Sequence, residues 1–265
     1  MEADSVLTTH YAQVPSVYHD SWFSQLNGPF EKWQLELIAT LFGKQSTTEN
    51  WNSREEVLLD LGCGSGYFTA KLANELSLSK RPIGVDFSQH MLKIGQANDP
   101  WVQRVHSGAY EYLKESPSEN VELILLKELI HHIRELEALF VHLHRVLKNN
   151  GRCLIVTRPK HEIDYPFFSE ARRVWEKNQP DARELVVHAQ NAGFGVINVK
   201  IHTIPVSIPF DRWTSMIENR FWSTFSEFAD NEIENGIQEI HLKNVGDCCG
   251  NIHFEERMIL IELRK

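Results

Sequence analysis

The chain lacks most of what marks a membrane, secreted or nucleic-acid-binding protein. No apolar run approaches the ~20 residues of a membrane span. The opening MEADSVLTTH has no basic segment leading into an apolar one, so the expected location is cytoplasmic. Basic residues are too few for a broad phosphate-binding face: 27 Lys and Arg stand against 36 Asp and Glu, a net charge of -9, and no nucleic-acid partner is expected. Cysteines number four. Cys63 and Cys153 fall in a predicted turn and strand and read as reduced packing residues. The adjacent Cys248 and Cys249 have no second C-x-x-C to complete a zinc site. His142 and His144 have no carboxylate or cysteine at ligand spacing either, so no metal is expected. Finally, Tyr67 stands where a G-x-G-x-x-G nicotinamide fingerprint needs its third glycine.

What is present suffices for one substantial core. At 265 residues, 42% hydrophobic and 24% charged, the chain reads as a single domain with elaborations. Residues 57–66, VLLDLGCGSG, are the most informative stretch. A short apolar run with polar Arg54, Glu55 and Glu56 ahead of it and glycines behind is the pattern of a buried central strand in a parallel sheet. Gly62, Gly64 and Gly66 let the chain turn sharply and let a ligand lie against the main chain. The helix expected from Tyr67 to about Leu76 then points its first amides at that ligand. Asp60 closes the strand with a carboxylate that would repel a pyrophosphate, which favours a ligand without phosphates.

The spacing D-x-G-x-G-x-G resembles motif I of the class I S-adenosylmethionine-dependent methyltransferases. That resemblance implies an α/β fold with a doubly wound, mostly parallel seven-stranded sheet. It also implies S-adenosylmethionine as cofactor, S-adenosylhomocysteine as product, and Asp60, Gly62, Cys63, Gly64 and Gly66 at the cofactor. The order of elements agrees. Arg81 to Asp86 forms a second strand ending in an acid placed to accept both ribose hydroxyls, although Asp86 also stands where a helix cap would. Phe87 and Met91 are nominated for the adenine by resemblance. A third strand from Val102 to Ser107 leads into Gly108, Ala109 and Tyr110. Family members commonly carry an aspartate where Ala109 stands. Adenine contact would therefore rest on the main chain of Gly108 and Ala109, with Tyr110 either stacking on the base or simply starting a helix.

Asn120 to Leu126 is a fourth, strongly apolar strand, with Glu122 in place of the family's usual aspartate. The residues just past it, Lys127 and the histidine pair His131 and His132, fall where open α/β sheets bind ligands. Lys127 is expected to lie by the methionine moiety. An imidazole there suits a proton acceptor for O- or N-methyl transfer, with His132 preferred by resemblance. Alternatively both histidines only begin the next helix, whose adjacent side chains diverge by about 100 degrees, so that one at most faces the site. That helix, Glu135 to Leu147, is stopped by Lys148-Asn149-Asn150-Gly151. Arg152 to Thr157 is a fifth strand and Val196 to Ile208 a sixth, and the resemblance implies Glu256 to Leu263 as an antiparallel seventh.

The expected layout is residues 1–50 as N-terminal cap helices, 51–160 as the cofactor half, and 161–265 as a substrate-side half with a helical lid at about 210–245. Tyr11, Tyr18, Trp22, Trp213, Arg158 and Arg220 are the candidate acceptor-binding residues, the arginines as isolated cations for a carboxylate. Core packing at helical spacing is the alternative reading of the aromatics. The expected activity is methyl transfer to an O or N atom of a small-molecule acceptor. An RNA or protein methyltransferase and a non-catalytic cofactor-binding protein are the alternatives. The acidic balance, and the absence of an Asn/Asp-Pro-Pro-Tyr motif after the fourth strand, weigh against nucleic acid. The sequence leaves oligomeric state open.

Overall fold

A computed structural model describes residues 28–44, 54–243 and 250–265. Tyr11, Tyr18, Trp22, Cys248 and Cys249 lie outside the described residues.

In chain order the elements are α1 (Pro29–Leu41), β1 (Leu58–Leu61), α2 (Tyr67–Glu75), β2 (Ile83–Asp86), α3 (Gln89–Asn98), β3 (Gln103–His106), α4 (Ala109–Glu115) and β4 (Val121–Lys127). A 3-10 turn (Ile130–His132) precedes α5 (Leu136–Val146), β5 (Leu147–Thr157), α6 (Ser169–Asn178), α7 (Ala182–Asn191), β6 (Val196–Pro209) and α8 (Phe210–Glu218). A second 3-10 turn (Ser223–Glu227), α9 (Asp230–Lys243) and β7 (Asn251–Arg264) complete the order. The strands form one seven-stranded sheet in the order β3-β2-β1-β4-β5-β7-β6. β1 to β5 pair in parallel and β7 runs antiparallel to β5, with Arg152 opposite Arg264 and Thr157 opposite Ile259. This is the doubly wound sheet that the alternation of elements demands, with the antiparallel closing strand that the resemblance implies.

The chain divides into two compact units. One comprises 32–157, 181–200 and 259–265, and holds most of the sheet. Its core is Leu59, Leu61, Ile124, Leu126, Cys153, Ile155 and Ile261 of the strands, with Leu139, Phe140, Leu143 and Val146 of α5. Strands buried on both faces need near-continuous apolar runs, which residues 57–59, 123–126 and 153–156 supply. Each such Val, Leu or Ile contributes roughly 1.5–3 kcal/mol on leaving water. Glu122, half-buried, reaches back to the Val57 amide at 2.8 Å and pairs with Lys148 at 2.5 Å, tying β4 to the approach of β1 and to β5.

α5 stops one residue earlier than its expected stop signal. Leu147 is already extended, at φ -69 and ψ 133, so β5 absorbs the Lys148-Asn149-Asn150-Gly151 segment. The left-handed residue there is Asn150, at φ 64, not Gly151.

The second unit comprises, among the described residues, 28–31, 158–180, 201–243 and 250–258. It is built on aromatic packing. Trp213 is fully buried and donates its indole N–H to the Pro166 carbonyl at 3.0 Å, and Trp175 donates to Pro159 at 3.0 Å. Around them Phe167 stacks on Trp213 at 5.7 Å between ring centroids, Trp222 lies 5.0 Å from Trp213, and Phe254 4.9 Å. Inside this cluster Glu256 is fully buried, accepting from Arg158 Nε at 2.7 Å and from the Tyr165 hydroxyl.

Three expectations are corrected here. Trp213 is a core residue of its own unit and does not line an acceptor site, because its ring is enclosed by other aromatics. Arg158 is buried on Glu256, so it is no isolated cation awaiting a carboxylate. Arg220 is held by Asp230 at 2.6 Å and by the Phe228 carbonyl at 3.1 Å, which closes the connection between α8 and α9.

Candidate functional site

β1 ends at Leu61, and the next five residues turn through three left-handed glycines, Gly62 at φ 73, Gly64 at φ 57 and Gly66 at φ 76. Side-chain-bearing residues adopt that region only under strain. Gly66 starts α2 and has no side chain to cap it, so the first amides of the helix are left to solvent or ligand.

The turn is sewn to β2. The amides of Gly62 and Cys63 donate to the Val85 carbonyl at 2.8 and 3.1 Å. Asp86, at the end of β2, accepts from Gly64 N with one carboxylate oxygen and from Ser88 N with the other, both at 2.8 Å. Ser88, not Asp86, is the cap of α3, its hydroxyl accepting from Met91 N at 3.4 Å. Each oxygen of a carboxylate has capacity for a second hydrogen bond, so Asp86 keeps two acceptor sites. Burial pushes its carboxyl up, against the pull of the two amides and of His106.

Asp60 is buried at the end of β1 and accepts from Thr69 Oγ1 of α2 at 2.5 Å. Its backbone is opposite Gly84 of β2 and Leu125 of β4, which brings Asp86 and Lys127, two residues further along each strand, to the same edge. Desolvation raises the Asp60 carboxyl to about 7; Thr69 and Lys127 oppose the rise and Asp86 adds to it. The Lys127 ammonium lies over the Phe68 ring, 4.8 Å from its centroid. The sign of the pH effect follows. Between about pH 4 and 7 the folded chain holds a proton at Asp60 that the unfolded chain releases, so this group's contribution to stability falls as pH rises through that window. Urea unfolding at pH 5 and 7.5 should show the wild type losing stability relative to Asp60→Asn by a few kcal/mol. A constant difference between the two proteins would contradict the assignment.

The other expected residues sort by geometry. Met91 is buried against the turn, its Cε 3.5 Å from where a Gly64 Cβ would stand. Phe87 is half-buried and its carbonyl meets His106 Nε2 at 2.9 Å. Cys63 turns its sulfur onto Gly84, where a Cβ would come within 2.8 Å, and burial pushes the thiol well up. Gly108 caps α4, and neighbouring Ser107 donates its amide to the Asp86 carbonyl at 3.1 Å. Ala109 is buried in the core. Tyr110 packs edge-on against His142 of α5, with 5.6 Å between centroids, the helix-start reading of that residue.

His131 and His132 do not begin a helix. They close the 3-10 turn after β4, and their rings lie 4.0 Å apart, so the pair stays together instead of diverging. Thr69 and Arg104, which donates to the turn's Ser65 carbonyl at 3.0 Å, carry the site and were not signalled by motif.

Residues 59–155 match the family model described as a methyltransferase domain. That stretch is a methyltransferase domain. It runs from β1 to β5 and contains the glycine turn, Asp86, Lys127 and both histidines. A curated relative, the demethylmenaquinone methyltransferase of Lysinibacillus sphaericus, is 27% identical over 108 residues, 40% of this chain and 45% of that protein. The chain spans about half the length of the curated relatives it matches. Two solved structures share the methyltransferase fold. The Haemonchus contortus phosphoethanolamine N-methyltransferase 2 complex with phosphomonomethylethanolamine and S-adenosylhomocysteine has a TM-score of 0.59 at 19% identity, covering 97% of this chain and 57% of that one. The geranyl diphosphate C-methyltransferase of Streptomyces coelicolor, in complex with Mg2+, geranyl diphosphate and S-adenosylhomocysteine, has a TM-score of 0.51 at 18% identity, covering 89% and 79%. Beside the domain, no helix among the described residues is long and apolar enough to cross a membrane.

Proposed function

We propose that the protein binds S-adenosylmethionine at the carboxyl ends of β1, β2 and β4 and transfers its methyl group directly to an O or N atom of a small-molecule acceptor. S-adenosylhomocysteine is the product. The observation that carries this reading is Asp86. It braces the glycine turn through Gly64 N while keeping one acceptor site on each oxygen, which fits the adjacent hydroxyls of a ribose. At Gly64 a Cβ would meet only Met91 Cε at 3.5 Å, so the main chain there is approachable by an adenosyl ligand.

When bound, the sulfonium supplies an already activated methyl group. The chain's part is to hold, orient and desolvate. Asp86 fixes the ribose. The first amides of α2, which Gly66 leaves uncapped, receive the methionine carboxylate. Asp60, buried at the same edge, favours positive charge there in its ionised form, above about pH 7. His132, with the His131 ring tilted beside it, lies just past β4 and accepts the acceptor's proton as the methyl arrives, and no covalent enzyme intermediate is required.

A second reading, a cofactor-binding protein without activity, draws on Ala109, where the family's adenine-binding carboxylate is absent. Calorimetry with S-adenosylmethionine and S-adenosylhomocysteine tests the common part, with micromolar binding of both expected. Transfer of labelled methyl from S-adenosylmethionine to a panel of small amines, phenols and carboxylic acids separates the readings. Binding without transfer to any of them would favour the second, and absence of binding would overturn both.

A further inference from the structure

We infer that Arg104 and Gly95 position the glycine turn from below and thereby set cofactor affinity without touching the cofactor. Three of the turn's five residues are anchored through their amides to β2, Gly62 and Cys63 to Val85 and Gly64 to Asp86. Its carbonyl side is anchored separately. Ser65 O accepts from Arg104 Nε at 3.0 Å. The same guanidinium donates through Nη1 to the carbonyls of Asp99 at 2.5 Å and Val102 at 3.2 Å, in the connection from α3 to β3. One side chain on β3 thus joins the end of α3 to the turn. Its Nη2 would lie 3.2 Å from a Cβ at Gly66, so the plane of the guanidinium is pressed against the first residue of the next helix boundary.

Gly95 makes this approach possible. It sits inside α3, yet a Cβ there would stand 1.7 Å from Ser65 O and 2.7 Å from Arg104 Nε. No L side chain fits unless the turn or the helix moves. A planar, forked donor is also required, because a lysine ammonium at the same place reaches one carbonyl at most and cannot hold two segments in fixed relation. Arg104 and Gly95 are therefore positioning residues. They act through the Ser65 carbonyl on the orientation of the peptide groups that face the ligand.

The inference rests on the proposal that this turn holds S-adenosylmethionine, and the test separates the two. Arg104→Met, Arg104→Lys and Gly95→Ala are compared with wild type by calorimetry with S-adenosylmethionine and S-adenosylhomocysteine, and by amide hydrogen exchange over 62–66 without ligand. Arg104→Met should weaken both ligands about tenfold, as the loss of hydrogen bonds to a charged donor predicts, with Arg104→Lys recovering part of the loss. Exchange at the turn should rise in the same order while peptides from β4 and β5 stay protected. Gly95→Ala should behave as Arg104→Met does. If Arg104→Met binds as wild type does, or exchange over 62–66 is unchanged, the inference is overturned. If the wild type binds neither ligand, the cofactor proposal fails and the exchange data alone decide whether Arg104 braces the turn.

Discussion

Asp86→Ala should weaken binding of S-adenosylmethionine and S-adenosylhomocysteine alike, by tenfold or more. The substitution removes both remaining acceptor sites and, with them, the bond from Gly64 N at 2.8 Å that shapes the turn. Hydrogen bonds to a charged group contribute about 1.5–3 kcal/mol each, and about 1.4 kcal/mol is a factor of ten in affinity, so losing one ribose contact already reaches that level. Both ligands carry the same ribose, which makes equal losses the signature of this role. A loss confined to the charged sulfonium would point to electrostatics at the edge of the sheet. Asp86→Asn, which keeps one carbonyl oxygen, should fall between. Unchanged affinity in Asp86→Ala would remove the observation on which the functional proposal stands.

The largest effect on stability is expected in the other unit. Glu256 is fully buried and Arg158 is 7% exposed. Glu256→Ala strips the carboxylate from a guanidinium that cannot reach water and takes the acceptor from the Tyr165 hydroxyl as well. Breaking a buried pair from one side destabilises by roughly 3–5 kcal/mol, whereas replacing both charges with apolar groups of similar size is often neutral or better. The expected urea midpoints therefore run from wild type down to Glu256→Ala, with Arg158→Met/Glu256→Met recovering most of the difference. Against a total stability of about 5–15 kcal/mol, the single change removes a large share. If the double variant were as unstable as Glu256→Ala, the ion pair would be contributing beyond charge compensation. If Glu256→Ala were as stable as wild type, the pair would not be buried in solution.

The sheet and the glycine turn at its edge were legible because their signals are local. An apolar run, a terminal carboxylate and alternating glycines fall within ten residues around Asp60, and the periodicity of LEALFVHLHRV is that of a one-faced helix. The parts that escaped depend on distant residues. Nothing near Arg158 announces Glu256, which reaches it only because β7 runs antiparallel to β5. An arginine with no neighbouring acid reads as an open cation until the partner strand is known. Trp213 misled because amphipathic spacing does not say what a face packs against, and Arg220 because its partner Asp230 lies ten residues on, in the next helix. Arg104 lies on a short, partly exposed strand, QRVH, which carries no motif. The one sequence signal in its vicinity was Gly95, interior to a helix where glycine costs about 1 kcal/mol relative to alanine and therefore marks a close approach of another backbone. His131 and His132 were placed correctly beyond β4, but helical geometry was assumed for a 3-10 turn that keeps the two rings together.

β7 has one more consequence, for the order of events during synthesis. The last strand of the described chain does not lie at an edge of the sheet but between β5 and β6. Until residues 259–264 have been made, β5 has a neighbour on one side only, and the apolar stretch Cys153 to Val156 borders an open row of amides and carbonyls. A growing chain in that state offers a template for pairing with other chains, the condition under which sheets aggregate. Correct folding of the first 157 residues is in this sense provisional, and the final strand is what seals it.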